Sequence, residues 1–550
     1  MQNLWLSLKQ EIAKSLAVAI DEIEEPEKFG DFAYACFNLA KKQGKNPSEI
    51  AKDLASKLKI GFIEKIEATG PYVNFYINWP KFIKELLSLI NEKYGSWDEK
   101  ETVLMDVFQP NPFKPFHIGH IRNAVLGESV RRLLEFCGKK TIAVSYMGDV
   151  GTHVAKWLWY FNNFYKGEIP KENVSRWAGE IYAKATQKIE EKKEYEEEVQ
   201  EINRKLDSKD KELMKFWKKM RDLCLDDFWK IQKELDIHLD GHFYESEVED
   251  IGKAIVNNLI EKGIVKISEG APVIDLEKYG LKTFLLMKSD RTSLYSTKDL
   301  GLYELKRKKY KFDKSVFVVA AEQDFYFKQL FKTFEILKLP GWDKNIHISY
   351  GLVTLKEGKM SSRYGTIILY EDLRDEMIKK ISEETEKKNP DLKNKEEIAR
   401  KIAFGAIKFS MLDIGNNKQI KFDWEQALDI EGRSGPYLQY SVVRALSILE
   451  KAKIKNYDSS LLKEDIEIKL IKKLAQFPNL IKNAAGQYSP NILSNYLFEL
   501  AQDFNSFYQS LPVLKVEENL KNARLKLVES TKTVLTTGLY LLGIPILEKM

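Results

Sequence analysis

His117 and His120, three residues apart, flank Gly119 in a stretch stiffened by Pro110, Pro112 and Pro115. The prolines restrict the loop, Gly119 lets a ligand approach the backbone, and the helix expected to begin there gathers unpaired N–H groups that suit an anion. Both imidazoles sit on the opening turn, so the chemistry on offer is the holding of a phosphate. Far downstream, Lys359, Met360, Ser361, Ser362 and Arg363 stand between Gly358 and Gly365. A lysine, two hydroxyls and an arginine form a loop able to close over a polyphosphate. Taken alone, a His-x-Gly-His is a weak signal that a loop with two surface or capping histidines would also produce. Two phosphate-handling loops in this order form a stronger one.

A third group suits a different ligand. Tyr295 and Asp299 are four apart at the start of an expected helix, so ring and carboxylate share a face. A carboxylate beside an aromatic plane suits a guanidinium, whose planar fork it can grip bidentately while the ring stacks. Without context, such a pair is commonly just a helix face.

These residues need elements to carry them. Residues 102–108 read as a short buried strand and 118–136 as a helix with apolar residues at helical spacing. A second strand, 141–146, runs into Gly148-Asp149-Val150-Gly151-Thr152-His153, a strand end of the kind at which nucleotide folds bind ligands. From 157 to 240 the pattern is helical, with the charge run 190–198 expected on a solvated face. The chain then returns to the sheet through Phe243–Ser246, Leu294–Asp299 and Phe317–Asp324.

At 550 residues the chain implies several domains. The expected fold is multidomain α/β: a small α/β module over 1–95, a Rossmann-type parallel-sheet catalytic domain over 96–394 with a helical insertion at about 157–240, and an all-α bundle over 395–550. The first helix places Leu4, Leu8, Ile12 and Leu16 on one face and is amphipathic rather than a signal peptide. In the first module Tyr72 and Asn74 share a strand face, which suits stacking on and hydrogen bonding to a splayed base, or equally a plain sheet face. In the bundle, Gly432–Pro436 opens a helix from Tyr437, and Pro478 and Gly486 are expected to punctuate later ones. Three cysteines share no metal-ligand spacing, and no apolar run is long enough to cross a bilayer, so a cytoplasmic protein without membrane contact is expected. A net charge of +5 against 87 basic and 82 acidic residues permits an RNA partner without arguing for one.

The order HIGH (117–120), Gly-Asp-x-Gly (148–151), Tyr-x-x-x-Asp (295–299), Glu-Gln-Asp (322–324), KMSSR (359–363), Gly-Pro-Tyr-Leu-Gln-Tyr (435–440) and Leu-Leu-Gly-Ile-Pro (541–545) resembles the arginyl-tRNA synthetases, class I enzymes with HIGH and KMSKS signatures. Gly-Asp-Phe-Ala (30–33), Gly-Pro-Tyr-Val-Asn-Phe (70–75) and the lead-in Asn-Pro-Phe-Lys-Pro-Phe (111–116) extend the likeness to nearly the whole chain. The resemblance implies an arginine–tRNA ligase: arginine's carboxylate attacks the α-phosphate of ATP, and the adenylate then esterifies the 3′-terminal adenosine of tRNA(Arg), with activation only while tRNA is bound.

The resemblance also assigns residues. His117, His120, Lys359 and Arg363 would be catalytic; ATP would meet His117, Gly119, His120, Gly148, Asp149 and Lys359 to Ser362. Arginine would lie against Glu245, Tyr295 and Asp299 at its guanidinium and Asn111 and Gln323 at its α-amino acid end. Transfer RNA would meet Tyr72, Asn74, Tyr437, Gln439, Tyr440 and Arg444, and residues 540–550 approach the anticodon loop in relatives. Mg²⁺ is expected on the nucleotide, without ligands identified in the sequence, and a monomer is expected. The chain departs from the family at Ser362 (the second KMSKS lysine), at His153 (a glutamine) and at Tyr326 (a histidine), and it carries Tyr34-Ala35 for the usual Thr-Asn. A small-molecule nucleotidyltransferase and a catalysis-free RNA-binding protein are the competing readings; neither needs the whole set of elements.

Overall fold

The computed structural model describes residues 3–26, 28–356 and 368–550. Helix α1 (Leu4–Leu16) is capped by the Asn3 side chain, which accepts from the Leu6 N–H at 3.0 Å, and buries the predicted apolar face. It covers an antiparallel sheet ordered β1-β2-β4-β3, made of β1 (Ile23–Glu24), β2 (Phe32–Ala35), β3 (Ile63–Thr69) and β4 (Tyr72–Ile77).

The central sheet holds five parallel strands. They are β5 (Thr102–Asp106), β6 (Lys140–Met147), β7 (Gly241–Tyr244), β11 (Lys314–Ala320) and β12 (Asn345–Tyr350), ordered β12-β11-β5-β6-β7. Strands covered on both faces can be apolar throughout, and Val103, Leu104 and Met105 are fully buried. Helix α2 (Ile118–Phe136) follows β5 and presses on it: a Cβ on Gly127 would stand 2.6 Å from the Cβ of Val107.

Between β6 and β7 lie α3 (Thr152–Phe164), α4 (Val174–Ile189), α5 (Lys193–Asp207) and α6 (Lys211–Glu234). The insertion is helical as expected, around a core that includes Trp157, Trp159 and Trp217. Helix α7 (Glu245–Glu261) leads to a small antiparallel sheet of β8 (Lys266–Ser268), β9 (Ala271–Ile274) and β10 (Phe284–Leu285), and α8 (Tyr295–Lys309) returns the chain to β11. The backbones of α7 and α8 touch. A Cβ on Gly252 would stand 2.0 Å from the Thr297 carbonyl oxygen, and one on Gly301 2.2 Å from that of Val248.

Helix α9 (Asp324–Ile336) connects β11 to β12, and β13 (Val353–Leu355) pairs with β14 (Ile420–Phe422) beyond α10 (Tyr370–Lys388) and α11 (Lys395–Leu412). The bundle continues with α12 (Gly435–Glu450), α13 (Asp465–Gly486), α14 (Pro490–Ser510) and α15 (Glu518–Leu541).

Pro478 corrects an expectation: it lies inside α13 and does not end it. A proline at this place strips the Leu474 carbonyl of its helical donor, a loss that normally breaks a helix. Here the buried Tyr94 hydroxyl donates to that carbonyl at 3.1 Å, and the Trp97 indole donates to the Pro478 carbonyl at 2.9 Å. The segment joining the first module to the central sheet thus stabilises the proline-bearing helix and docks on it.

Candidate active site

His117 is the N-cap of α2. Its Nδ1 accepts from the Gly119 N–H at 3.1 Å, and Nδ1 of His120 accepts from the His117 N–H at 3.3 Å. The rings stack with centroids 3.9 Å apart. An imidazole whose Nδ1 accepts carries its proton on Nε2, so this network assigns the Nε2–H tautomer to both rings. Burial pushes His117 down to about 4 and His120 well below its ordinary value, and the Lys114 ammonium adds to both shifts. The pair therefore presents neutral N–H donors at neutral pH.

Lys359, Met360, Ser361, Ser362 and Arg363 lie outside the described residues. The chain on either side of them is fastened to α2 and its lead-in. Downstream, Leu369 forms an antiparallel bridge with His117, the Ile118 N–H donates to the Ile368 carbonyl at 3.0 Å, and the Tyr370 N–H donates to that of Phe116 at 3.0 Å. Upstream, the buried Arg122 guanidinium donates to the carbonyls of Gly351 at 2.6 Å and Asn416 at 2.7 Å.

A cavity of ≈ 530 Å³ opens at the C-terminal ends of the parallel strands, lined by Asn111, His120, Gly148, Glu245, Tyr295, Asp299 and Gln323 among others. The strand ends place these residues where folds of this type bind ligands. The Asn111 side chain accepts from the Gly148 N–H at 2.9 Å, and a Cβ on Gly148 would meet the Asn111 Oδ1 at 2.8 Å and the Glu245 Oε1 at 3.2 Å. Only a glycine leaves both oxygens room there.

Glu245 differs from the expectation of a guanidinium partner. Its Oε2 already binds the Lys298 ammonium at 2.6 Å, and its Oε1 points to the Asn111 end of the cavity. Asp299 accepts from the Tyr326 hydroxyl, and burial raises its carboxyl to about 7. Asp106, at the end of β5, is paired with the buried Lys306.

Asp149 is a correction. Its carboxylate is fully buried, accepting from the Ser246 N–H at 3.0 Å, the Ser246 hydroxyl at 2.7 Å and Arg221 at 3.1 Å. It ties the β6 end to the start of α7 and does not face the cavity, whereas Gly148 does. His153 fills the position of the family's glutamine structurally: its Nε2 lies 3.0 Å from the Gly148 carbonyl, and burial pushes it down to about 3, so it donates there as a neutral ring. Lys298 and Tyr326 were not singled out as site residues, because their partners Glu245 and Asp299 lie on other turns or elements. Lys114, noted only within the lead-in, is a cation beside the histidines, over the Tyr182 ring at 5.5 Å, with burial lowering its pKa.

Three family models match. A class I tRNA synthetase (R) catalytic domain covers residues 83–424, a DALR anticodon binding domain 438–550, and an arginyl tRNA synthetase N terminal domain 4–77. The arginine–tRNA ligase of Clostridium acetobutylicum is 37% identical over 542 residues, covering 96% of each chain, and that of Halothermothrix orenii is 36% identical over 538 residues, covering 96% of this chain and 95% of its own. The solved arginyl-tRNA synthetase of Thermus thermophilus superposes with a TM-score of 0.84 at 27% identity, covering both chains fully. The chain belongs to the arginyl-tRNA synthetase family.

Two further surfaces carry the residues that the arginyl-tRNA synthetase resemblance assigned to RNA. A cavity of ≈ 710 Å³ between α10, α11, α12 and α14 is lined by Tyr437, Tyr440, Arg444, Asn505 and Met550 among others. Arg444 donates to the Asn505 side chain and, at 3.2 Å, to the Tyr440 hydroxyl, and its guanidinium lies over the Tyr440 ring at 4.7 Å. Gln439 is a correction: it is fully buried and donates to the carbonyls of Lys401 at 3.1 Å and Pro545 at 2.8 Å. It anchors the 540–550 segment against α12. In the first module Tyr72 is exposed and meets the exposed Phe37 edge-on at 6.0 Å. Asn74 is a second correction, buried to 3% exposure with its amide donating to Thr69 at 3.1 Å, because the Gly30–Asp31 turn packs over it.

Proposed function

We propose that the chain is an arginine–tRNA ligase that forms arginyl-AMP from arginine and ATP and passes the arginyl group to the 3′-terminal adenosine of tRNA(Arg). The observation that carries this reading is the adjacency, in one cavity, of His120 and Asp299. One end presents neutral donors for phosphate and the other a carboxylate and ring for a guanidinium.

In the first step an oxygen of arginine's carboxylate bonds to the α-phosphorus and the bond to pyrophosphate breaks. The nucleophile is already ionised, so little proton transfer is required, and the barrier falls chiefly by stabilising charge on the phosphoryl oxygens. The Nε2–H groups of His117 and His120 supply donors that need not reorganise, and Lys114 with Lys359 and Arg363 supplies positive charge. Asp299 grips the guanidinium with Tyr295 against it, while Asn111, Gln323 and the free oxygen of Glu245 take the α-ammonium end. In the second step a hydroxyl of the terminal ribose attacks the arginyl carbonyl and AMP leaves. Mg²⁺ would accompany the nucleotide's β- and γ-phosphates and add positive charge there.

The division of labour follows the three expected units: 1–95 on the body of the tRNA through Tyr72 and Phe37, 96–394 for catalysis, and 395–550 on the anticodon through Tyr437, Tyr440 and Arg444. No described helix is long and apolar enough to cross a membrane. We read the enzyme as a cytoplasmic monomer. Pyrophosphate exchange, run with each amino acid with and without tRNA, tests the whole reading. Exchange dependent on arginine and on tRNA is expected; exchange with a different amino acid, or with arginine in the absence of RNA, would overturn it.

A further inference from the structure

Four carboxylates line the cavity, the buried Asp106, Glu245 and Asp299 and the exposed Glu322. Helix α8 supplies lysines to two of them, Lys306 to Asp106 and Lys298 to Glu245, and both pairs are buried. Asp299, the neighbour of Lys298 in the chain, is held by a neutral hydroxyl, that of Tyr326, and makes no ion pair among the described residues. The Lys298–Glu245 pair is set by backbone contact, because Gly252 and Gly301 let α7 and α8 touch between the two side chains' turns.

We propose that Lys298 is a specificity-determining residue that sets the charge of the amino-acid pocket: by neutralising Glu245 it leaves Asp299 as the one buried carboxylate of the cavity without a cationic partner among the described residues, so the guanidinium end of the pocket takes a single planar cation. This rests on the reading of Asp299 as arginine's guanidinium partner. Two unpaired carboxylates in a buried site cannot both ionise easily, and the repulsion would raise the range over which Asp299 titrates. Of the other charged groups around the pair, Asp149 is paired with Arg221 and Glu249 with Lys253, while Asp207 adds a further carboxylate within electrostatic reach of Lys298. From the phosphate side the pair faces Lys114 and the neutral His153, and Tyr295 and Tyr326 stay protonated at neutral pH.

The test is the pH dependence of the arginine KM in tRNA charging by the full-length enzyme, between about pH 6 and 8.5. In the unaltered enzyme KM should fall with rising pH and level off above the Asp299 titration, near pH 7. Lys298→Gln should move that break up by about one pH unit, which at pH 7 is a rise in KM of about fivefold. Lys298→Arg should keep the original break, and Lys298→Gln combined with Glu245→Gln should restore it. Glu245→Gln alone, which removes a carboxylate whose charge raises the Asp299 titration, should move the break down, and it carries the test if Lys298→Gln fails to fold. A break that stays in place in Lys298→Gln or in Glu245→Gln overturns the proposal, as does a double variant that keeps the shift. Asp299→Asn separates the two failures: an unchanged arginine KM in that variant overturns the arginine-site reading itself, while a raised KM with an unmoved break overturns only the role of Lys298.

Discussion

Leu369 is bridged to His117. Because Leu369 follows the KMSSR segment and His117 opens the HIGH helix, the bridge, reinforced by Ile118 on Ile368 and Tyr370 on Phe116, brings the downstream flank of one phosphate-handling segment onto the other. Arg122, one turn further along α2, does the same for the upstream flank through Gly351. The described chain on both sides of residues 357–367 is thus held against the helix that the HIGH stretch opens.

The neutral state of the histidine pair has a consequence for stability. A histidine whose folded pKa lies below its unfolded value near 6.5 lets the unfolded chain bind more protons, so stability is complete above about pH 6.5 and is lost as pH falls toward the folded pKa, about 4 for His117. Each such group contributes roughly 1.4 kcal/mol per pH unit over that window. Urea unfolding at pH 7 and pH 5 should show a weaker acid dependence in His117→Asn, which keeps an N-cap acceptor. An equal acid dependence in both proteins would mean that His117 is not held neutral.

Asp299→Asn keeps the partner for Tyr326 and removes the charge. Loss of one side of a buried charged pair costs about 2–4 kcal/mol, which is roughly 30-fold to several hundred-fold in the arginine KM. Steady-state charging with saturating tRNA measures it. The KM for ATP should stay within about twofold.

Tyr94 predicts a repair as well as a lesion. Tyr94→Phe leaves the Leu474 carbonyl buried without a donor and should destabilise the protein by about 1–3 kcal/mol. Adding Pro478→Ala restores a backbone N–H four residues on, so the double variant should regain most of the loss in a thermal melt. Additive losses would show that the hydroxyl acts through something other than this carbonyl.

Arg444 is held ready by Asn505 and Tyr440. Arg444→Ala should raise the KM for tRNA by roughly fivefold to a hundredfold, by analogy with a phosphate or base contact worth about 1–3 kcal/mol, and should lower the salt slope of tRNA binding by about one if the contact is to phosphate. The arginine KM at saturating tRNA should not move. Filter binding over a salt series with charging kinetics reads both.

The features that sequence made legible are those fixed by short spacing. The histidine pair follows from its prolines and helix start, and the Tyr295/Asp299 face from an i,i+4 step. What stayed hidden depended on pairs distant in the chain. A Gly-Asp-x-Gly strand end shows where the backbone turns, but the Asp149 carboxylate points to Ser246 and Arg221. Strand alternation puts Asn74 with Tyr72, yet the Gly30 turn buries only Asn74. Helical periodicity does not tell a buried glutamine that holds Pro545 from one that meets RNA. Pro478 looked like a helix stop because its rescuer, Tyr94, is 380 residues from the carbonyl it satisfies.

The central claim is that His120 and Lys359 act on the phosphates of one bound ATP. A double-mutant cycle on single-turnover arginyl-adenylate formation, with His120→Ala, Lys359→Ala and the pair together, tests it most directly. Groups that share one network couple by about 0.5–3 kcal/mol, and the account predicts a double variant that loses less rate than the product of the single losses. Losses that multiply to within about 0.5 kcal/mol would contradict a shared site.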